Sequence, residues 1–178
     1  MAVVGMIVHL GRASASAQAR ELAEGLIADG HVVRAPHEDA ETAGLDSVEV
    51  CDGADFADGL DLVVALGGDG SMLRAIELVG SGGTPIMGVD HGQLGYLTEV
   101  EPTEAADAVA RFLAGERAVE ERMLLGEGEA AAQERRAPVV RHLERRLAVL
   151  GLGVARRAFG EQVLHGLGVA RLRELVQR

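Results

Sequence analysis

The sequence predicts an α/β fold in which helices flank an open parallel sheet. Short apolar runs alternate with stretches of helical periodicity, as they do in parallel sheets wrapped by helices. The chain is 48% hydrophobic but only 2% aromatic, so Ala, Val, Leu and Ile must build its core. The central run, Leu62 to Leu66, is continuously apolar, which is expected of a strand covered on both faces.

The N-terminal segment predicts a strand, a loop, a helix and a second strand. Val3 to Leu10 is a short apolar run, and the chain then turns at residues 11–14, where Ser14 or Ser16 could cap a helix. Gly30 is a natural helix stop, and His31 to Arg34 begins the next strand. The apolar face of this helix recurs at helical spacing and consists of Ala19, Leu22, Ala23, Leu26 and Ile27.

Residues 35–60 are acidic and show no clear periodicity, which predicts an irregular segment. Four aspartates here and just beyond are spaced three apart, an arrangement that could indicate a metal site. The calcium-loop pattern is absent, however, and Gly53 and Gly59 interrupt any helix. A solvated surface segment is therefore favoured over a metal site for Asp52, Asp55, Asp58 and Asp61.

The rest of the alternation follows Leu66. A helix is predicted over residues 72–79, a strand from Pro85 to Val89, and an amphipathic helix from Pro102 to Ala114. Residues 1–118 are thus predicted to form a Rossmann-like open parallel sheet with flanking helices. Two glycine-rich turns, residues 67–71 and 88–96, fall at strand ends, where ligands of such sheets bind. The two turns could therefore face one crevice.

The turn Gly67-Gly68-Asp69-Gly70 has the composition of an anion site. Glycines let backbone amides approach an anion closely, and the following helix adds the partial positive charge of its N-terminus. Asp69 would repel phosphate unless Mg²⁺ is bound there or the carboxylate takes a proton from an attacking hydroxyl. The alternative is that Asp69 only caps the helix, and the turn alone leaves both interpretations open.

Composition excludes several kinds of function. The net charge of −11 argues against non-specific binding to nucleic acid. The charge is uneven, because residues 1–118 hold 20 acids and 6 arginines (−14) and the remainder holds 8 acids and 11 arginines (+3). All 17 basic residues are arginine, which excludes Schiff-base chemistry and the lysine of a Walker phosphate loop.

Cysteine usage and the N-terminus predict a soluble cytoplasmic protein with no membrane partner. Cys51 is the one cysteine, so no internal disulfide can form, and no Cys/His cluster has zinc spacing. The apolar run at the N-terminus is too short to span a membrane and lacks a basic leader.

The two turns, in their order and spacing, resemble those of the bacterial NAD kinase family, over about residues 1–125. The family's Gly-Gly-Asp-Gly-(Thr/Ser) turn matches Gly67 to Ser71, and its Leu-x-Ala continuation matches Leu73 to Ala75. Its second motif, Gly-(Ile/Val)-Asn-x-Gly-x-Leu-Gly-Phe-Leu, aligns with Gly88 to Leu97. Phosphofructokinases and lipid kinases share the first turn. Lipid kinases usually continue differently, and neither class would be expected to carry the segment GQLGYL.

The resemblance implies transfer of a phosphoryl group to the 2′-hydroxyl of the NAD adenosine ribose, giving NADP. The donor would be ATP or polyphosphate, with Mg²⁺ or another divalent cation neutralising its charge. Asp69 would be the general base, and Arg74 would be a basic residue that binds NAD, with a solvent-facing Arg74 as the alternative. The residues implied to hold phosphates through backbone amides are Gly67, Gly68, Gly70 and Ser71.

In the second motif the chain departs from the family at two positions. Tyr96 replaces a phenylalanine that packs near the adenine; its ring can still stack, although a core position is the alternative. Asp90 replaces an asparagine and places a second carboxylate near the ligand, with Gly92 in the same binding turn. The resemblance also implies a homo-oligomer for the intact protein.

Residues 119–178 do not show the family's β-rich second domain, whose Asn-Glu or Asn-Asp pair and Gly-Ser-Thr-Ala-Tyr segment are not found. We interpret them as an atypical, Arg-rich, helix-prone tail and expect weak or no activity from this chain alone. One hypothesis is a frameshift, because one choice of codons for residues 141–146 reads Ala-Ile-Leu-Asn-Asp in the +1 frame. The alternatives are a truncation or a divergent helix pair. The rival to a kinase is a nucleotide-binding protein without catalysis.

Overall fold

A largely parallel sheet forms the centre of the structure, a computed structural model that describes residues 1–79, 82–92, 95–116, 118–124 and 135–140. All of these residues belong to one compact unit, Met1–His142. Within them the strands are β1 (Val3–Val8), β2 (Val32–Ala35), β3 (Glu49–Val50), β4 (Leu62–Gly67), β5 (Ile86–Asp90), β6 (Val119–Leu124) and β7 (Arg135–Val140).

Helices connect the strands and cover both faces of the sheet. They are α1 (Ala13–Ala28), α2 (His37–Ala43), α3 (Ala54–Ala57), α4 (Asp69–Val79) and α5 (Ala105–Leu113), the last preceded by a 3₁₀ turn at Pro102–Glu104. In the described part of the chain, no helix combines the length and the apolar character needed to cross a membrane.

The strand order is β3-β2-β1-β4-β5-β7-β6. Every neighbouring pair is parallel except β6 and β7, which are antiparallel. The chain runs outward from β1 through β2 to β3 and then returns to place β4 on the other side of β1. This reversal creates a switch point between β1 and β4, where ligands of open α/β sheets bind. The predicted open sheet with flanking helices is confirmed.

The core has two layers separated by the sheet. Side chains of β4 alternate between them, with Leu62, Val64 and Leu66 on one side and Val63 and Ala65 on the other. All six residues of β4 are buried, as its apolar run predicted. Helices α1, α2 and α5 pack on the first face, and α3 and α4 pack on the second.

Several local predictions differ from the structure. Strand β1 ends at Val8 rather than Leu10, and α1 begins at Ala13 with Arg12 as its N-cap residue. Ser14 and Ser16 therefore lie inside the helix, and neither caps it. The segment 35–60 is also more regular than predicted, because it contains α2, β3 and α3. The predicted stop of α1 near Gly30 is confirmed.

Two strands occupy the described part of the predicted helix-prone tail. Strands β6 and β7 pair with each other, and β7 joins β5 through Ile86 and Val139. At residues 119–124 and 135–140 the structure is thus a sheet extension, and the helical interpretation is wrong there. The tail predictions for residues 125–134 and 141–178 fall outside the described residues, and a domain boundary at residue 118 stays a prediction.

Candidate functional site

The two glycine-rich turns meet at the carboxyl edge of the sheet. The backbone N–H groups of Tyr96 and Leu97 donate to Asp69 Oδ1 over 3.1 Å and 2.9 Å. The N–H of His91 donates to the carbonyl of Gly67 over 2.6 Å. These hydrogen bonds bring the two turns into contact, whereas a crevice that both turns face stays a prediction.

The turn between β4 and α4 presents free space and helix N-terminal amides. The N–H groups of Ser71 and Met72 both donate to the carbonyl of Gly68, at 3.0 Å and 3.2 Å, which starts the helix. The amides of Asp69 and Gly70 precede these bonds and belong to the group that a helix leaves without internal partners. A Cβ at Gly68 or Gly70 would meet no atom within 4 Å. An anion can approach this turn closely.

Gly67 is required by packing. A Cβ on this residue would overlap Ser71 Oγ and lie 2.8 Å from Ser71 Cβ and 3.1 Å from His9 Cβ. Ser71 is itself buried, so its side chain packs on the α-carbon of Gly67. These contacts hold the first turn of α4 against the end of β4.

The Asp69 carboxylate joins the two turns. Its Oδ1 accepts both the Tyr96 and the Leu97 amides, whereas Oδ2 receives only a long 3.3 Å contact from the Tyr96 amide. The side chain thus binds amides of the second turn rather than capping its own helix. An ionised carboxylate has lone pairs to spare on Oδ2, so one oxygen can fix the loop while the other accepts a proton.

Arg74 lies on the second turn of α4 and forms an ion pair with Asp39 of α2. Arg74 Nη1 donates to Asp39 Oδ1 over 3.0 Å, and Nη2 contacts Oδ2. Asp39 is fully buried, and its Oδ1 also accepts the N–H of Val8 over 2.6 Å. Burial raises the pKa of Asp39, against the opposing effects of Arg74 and the Val8 amide. The Arg74 side chain is only 31% exposed, so the solvent-facing alternative is not what the structure shows.

Apolar side chains stand exposed beside Asp69. Tyr96 is 59% exposed, which excludes the core alternative for this residue. Leu73 is 53% exposed and lies one helical turn after Asp69 on the same face of α4. Sequence reasoning did not select Leu73, although its spacing of four from Asp69 was the available signal. Both side chains are therefore accessible to a ligand.

The second turn is shaped around Asp90. Its Oδ1 accepts the N–H of Gly92 over 2.7 Å, forming an Asx turn. A Cβ at Gly95 would lie 2.5 Å from Asp90 Oδ2 and would overlap Thr98 Oγ1. Thr98 is 5% exposed, and among the described residues its hydroxyl has no hydrogen-bond partner. Gly95 therefore packs closely against both Asp90 and Thr98, and Thr98 was not found from the sequence.

Two histidines at the crevice were also missed. His9 follows β1 at the switch point, and its buried Nδ1 lacks a partner among the described residues. His91 Nε2 contacts Gln18 Oε1 at 2.5 Å, while Gln18 Nε2 donates to the carbonyl of Pro102. The amide oxygen can only accept, so this contact is a hydrogen bond in the tautomer that carries the proton on Nε2 of His91. Burial, with a smaller contribution from Arg12, lowers the pKa of His91.

A groove of about 1140 Å³ runs between α1 and α5 and reaches the second turn at Asp90, His91 and Gly92. None of the residues 67–71 lines it. The chemistry of the two turns therefore locates the candidate site better than the volume of this groove does.

No group of three or more His, Cys, Asp or Glu side chains suited to a metal is present in the described residues. Two of the four spaced aspartates accept backbone N–H groups: Asp52 accepts that of His37 over 3.0 Å, and Asp61 accepts that of Val3 over 2.8 Å. Mg²⁺ commonly binds through one or two carboxylates together with substrate phosphates. Asp69 Oδ2 beside an open anion turn is compatible with that mode and not with an all-protein cage.

These features define an open α/β domain with a glycine turn that an anion can approach after β4 and the Asp69 carboxylate in that turn. A family model described as the ATP-NAD kinase N-terminal domain matches residues 4–117. The chain belongs to the NAD kinase family.

Among curated relatives, an NAD kinase of Thermobifida fusca is 38% identical over 126 residues, covering 67% of this chain and 39% of that protein. An NAD kinase of Thiobacillus denitrificans is 36% identical over 122 residues, covering 68% of this chain and 42% of that protein. The chain thus spans about two fifths of the length of these relatives.

Among solved structures, yeast NADH kinase complexed with NADH matches with a TM-score of 0.62 at 16% identity. The match covers 78% of this chain and 46% of that one. At this identity the likeness concerns the fold alone, and it agrees with the sheet and helices described above.

Proposed function

We propose that this domain binds NAD and a phosphate donor and takes part in phosphorylating the 2′-hydroxyl of the adenosine ribose. The observation that carries the proposal is the contact of Asp69 with the Tyr96 and Leu97 amides. This contact joins the two glycine-rich turns of the chain, whose curated relatives are NAD kinases. The cytoplasmic location and the homo-oligomer expected of the family form part of the same proposal.

In the proposed reaction the ribose hydroxyl lies beside Asp69 Oδ2. Its oxygen forms a bond to the terminal phosphorus of ATP or polyphosphate as the bond to the leaving phosphate breaks. The hydroxyl proton passes to Oδ2. Oδ1 keeps its hydrogen bonds to the loop amides throughout, so the base stays oriented while the other oxygen reacts.

The remaining residues bind and orient. The amides at Gly68, Asp69 and Gly70 face the donor phosphates, while Leu73 and Tyr96 pack against a ring of the acceptor. Asp90 and Gly92 shape the second turn, and contact between Arg74 and NAD remains part of the proposal. Mg²⁺, when bound with the donor, would neutralise charge on the transferred group.

The test is NADP⁺ formation from NAD⁺, ATP and Mg²⁺ by the full chain, compared with Asp69→Asn and Asp69→Ala. Asparagine retains an amide oxygen that can accept the Tyr96 and Leu97 amides, but it cannot take the proton. We expect both variants to lose turnover by roughly 10²-fold or more. Nucleotide affinity should fall only in Asp69→Ala, because that variant also releases the loop.

Equal turnover in the wild type and in Asp69→Asn would contradict the role of Asp69 as the base. Saturable NAD⁺ or ATP binding without any turnover would favour the alternative, a nucleotide-binding domain that does not catalyse transfer alone. A phosphofructokinase-like or lipid kinase activity is disfavoured by the family match, and phosphorylation of fructose 6-phosphate or a lipid, but not NAD⁺, would revive it.

A further inference from the structure

We propose that Asp39 is a positioning residue for Asp69, acting through Arg74 to fix the helix that carries Asp69 against the end of β1. The inference rests on the proposed function, because it assigns Asp39 a role at the same site. Asp39 itself lies on α2, in the acidic segment that precedes both glycine-rich turns in the sequence.

The contacts of Asp39 connect three elements. The residue belongs to α2, its Oδ1 accepts the amide of Val8 at the carboxyl end of β1, and its two oxygens contact the guanidinium of Arg74 on α4. Val8 is adjacent to the switch point, because the next residue, His9, donates its N–H to the carbonyl of Leu66 over 2.9 Å. Asp39 thus connects the carboxyl end of β1 to helix α4.

A change in the position of Arg74 is transmitted to Asp69 and from there to the second turn. Arg74 and Asp69 lie on one continuous helix, α4, whose backbone is rigid over this distance. Asp69 in turn holds the amides of Tyr96 and Leu97. A shift of α4 relative to β1 would therefore move both the base and the loop that lines the acceptor site.

The energetics favour a single placement of α4. Two contacts between a guanidinium and a carboxylate fix orientation as well as distance. A fully buried carboxylate left without its partner is strongly destabilising. Positions of α4 that would separate Arg74 from Asp39 are therefore strongly disfavoured.

The experiment compares the full chain with Asp39→Asn and Asp61→Asn. Asp61 is a matched control because its Oδ2 accepts the amide of Val3 at the opposite end of the same strand, and among the described residues it has no arginine partner. The readout is hydrogen exchange at the Leu97 amide, followed by NMR and corrected for global stability from urea unfolding. This measurement requires no enzymatic turnover, so it tests the proposal even if the chain proves inactive.

We expect Asp39→Asn to accelerate exchange at Leu97 roughly tenfold beyond its global destabilisation, and Asp61→Asn to leave it unchanged. Arg74→Lys, which keeps the charge but loses the two-point contact, should give an intermediate effect and serves if Asp39→Asn does not fold. Where the wild type turns over, Asp39→Asn should lower kcat more than it changes KM. Unchanged exchange at Leu97, or an equal change in Asp61→Asn, would overturn the proposal.

Discussion

Replacing Gly67 by alanine tests how tightly the anion turn is packed. The added Cβ would overlap Ser71 Oγ, which can rotate away, but it would also lie 2.8 Å from Ser71 Cβ, which cannot. The first turn of α4 must then shift. Overpacking of this kind costs about 1–3 kcal/mol, and the lower entropy of the unfolded alanine chain returns about 0.4–1 kcal/mol. We expect Gly67→Ala to lower the free energy of unfolding by about 1–2 kcal/mol.

The neighbouring glycine is the control. A Cβ at Gly68 meets nothing within 4 Å, and its φ is not positive. Gly68→Ala should therefore leave stability unchanged or raise it by about 0.4–1 kcal/mol. On the proposed function it should weaken ATP binding, however, because the new methyl group would stand where the phosphates are proposed to approach the turn. Gly67→Ala thus tests the packing of the turn, and Gly68→Ala at the adjacent position tests its ability to bind a ligand.

Second substitutions at Ser71 identify the clashing atom. Ser71→Ala removes only the rotatable hydroxyl and should restore little stability to Gly67→Ala. Ser71→Gly also removes the Cβ and should restore most of it, with a coupling energy of about 1 kcal/mol in a double-mutant cycle. Urea unfolding of the single and double variants measures this. Full stability in Gly67→Ala, or equal rescue by both second substitutions, would refute the packing argument.

Two further substitutions test the ion pair and the second turn. Arg74→Met should cost about 3–5 kcal/mol at neutral pH because it leaves the Asp39 carboxylate buried and unpaired, whereas Arg111→Met, from an exposed pair, should cost less than about 1 kcal/mol. Burial raises the pKa of Asp39, and loss of the arginine raises it further. The unfolded state is the same in both chains, so the deficit should shrink as the pH falls from the folded-state pKa of the variant to the lower, but still raised, folded-state pKa of the wild type. Urea unfolding at about pH 7 and about pH 5 checks that sign, and a deficit that grows on acidification contradicts it. Gly95→Ala should displace the Asp90 carboxylate and shift the NMR signal of the amide that it accepts, and an unmoved signal would show that the turn tolerates a Cβ.

Local patterns predicted the parts of the fold that depend on local sequence. Strand β4 and the glycine turn after it could be predicted from their own residues, without knowledge of contacts with distant parts of the chain. Helix α2 was missed because it has only seven residues and its buried apolar positions are both alanines, Ala40 and Ala43. Strand β7 was missed because its sequence contains Pro138 and adjacent arginines and acquires its conformation by pairing with β5 and β6.

Site residues that belong to a local sequence motif could be predicted. Residues whose role depends on neighbours from distant parts of the chain could not. Asp69 and Tyr96 follow from motifs that can be recognised within a dozen residues. The burial of Asp39 depends on Val8 and Arg74, which are 31 and 35 residues away. In the sequence Asp39 is one acid within an acidic segment, and nothing local separates it from its exposed neighbours.

The charge of the domain bears on how phosphates can bind there. Residues 1–118 carry 20 acids and 6 arginines, and Arg74 is neutralised by Asp39 with Glu38 also 3.9 Å away. On the proposed function, oriented amides at the N-terminus of α4, which act at short range, then attract the phosphates in place of Arg74. A donor that arrives with a divalent cation brings its own compensating charge. On the proposed function, that is how Asp69 can stand beside phosphates in an acidic crevice, keeping one oxygen for the loop and the other for the proton.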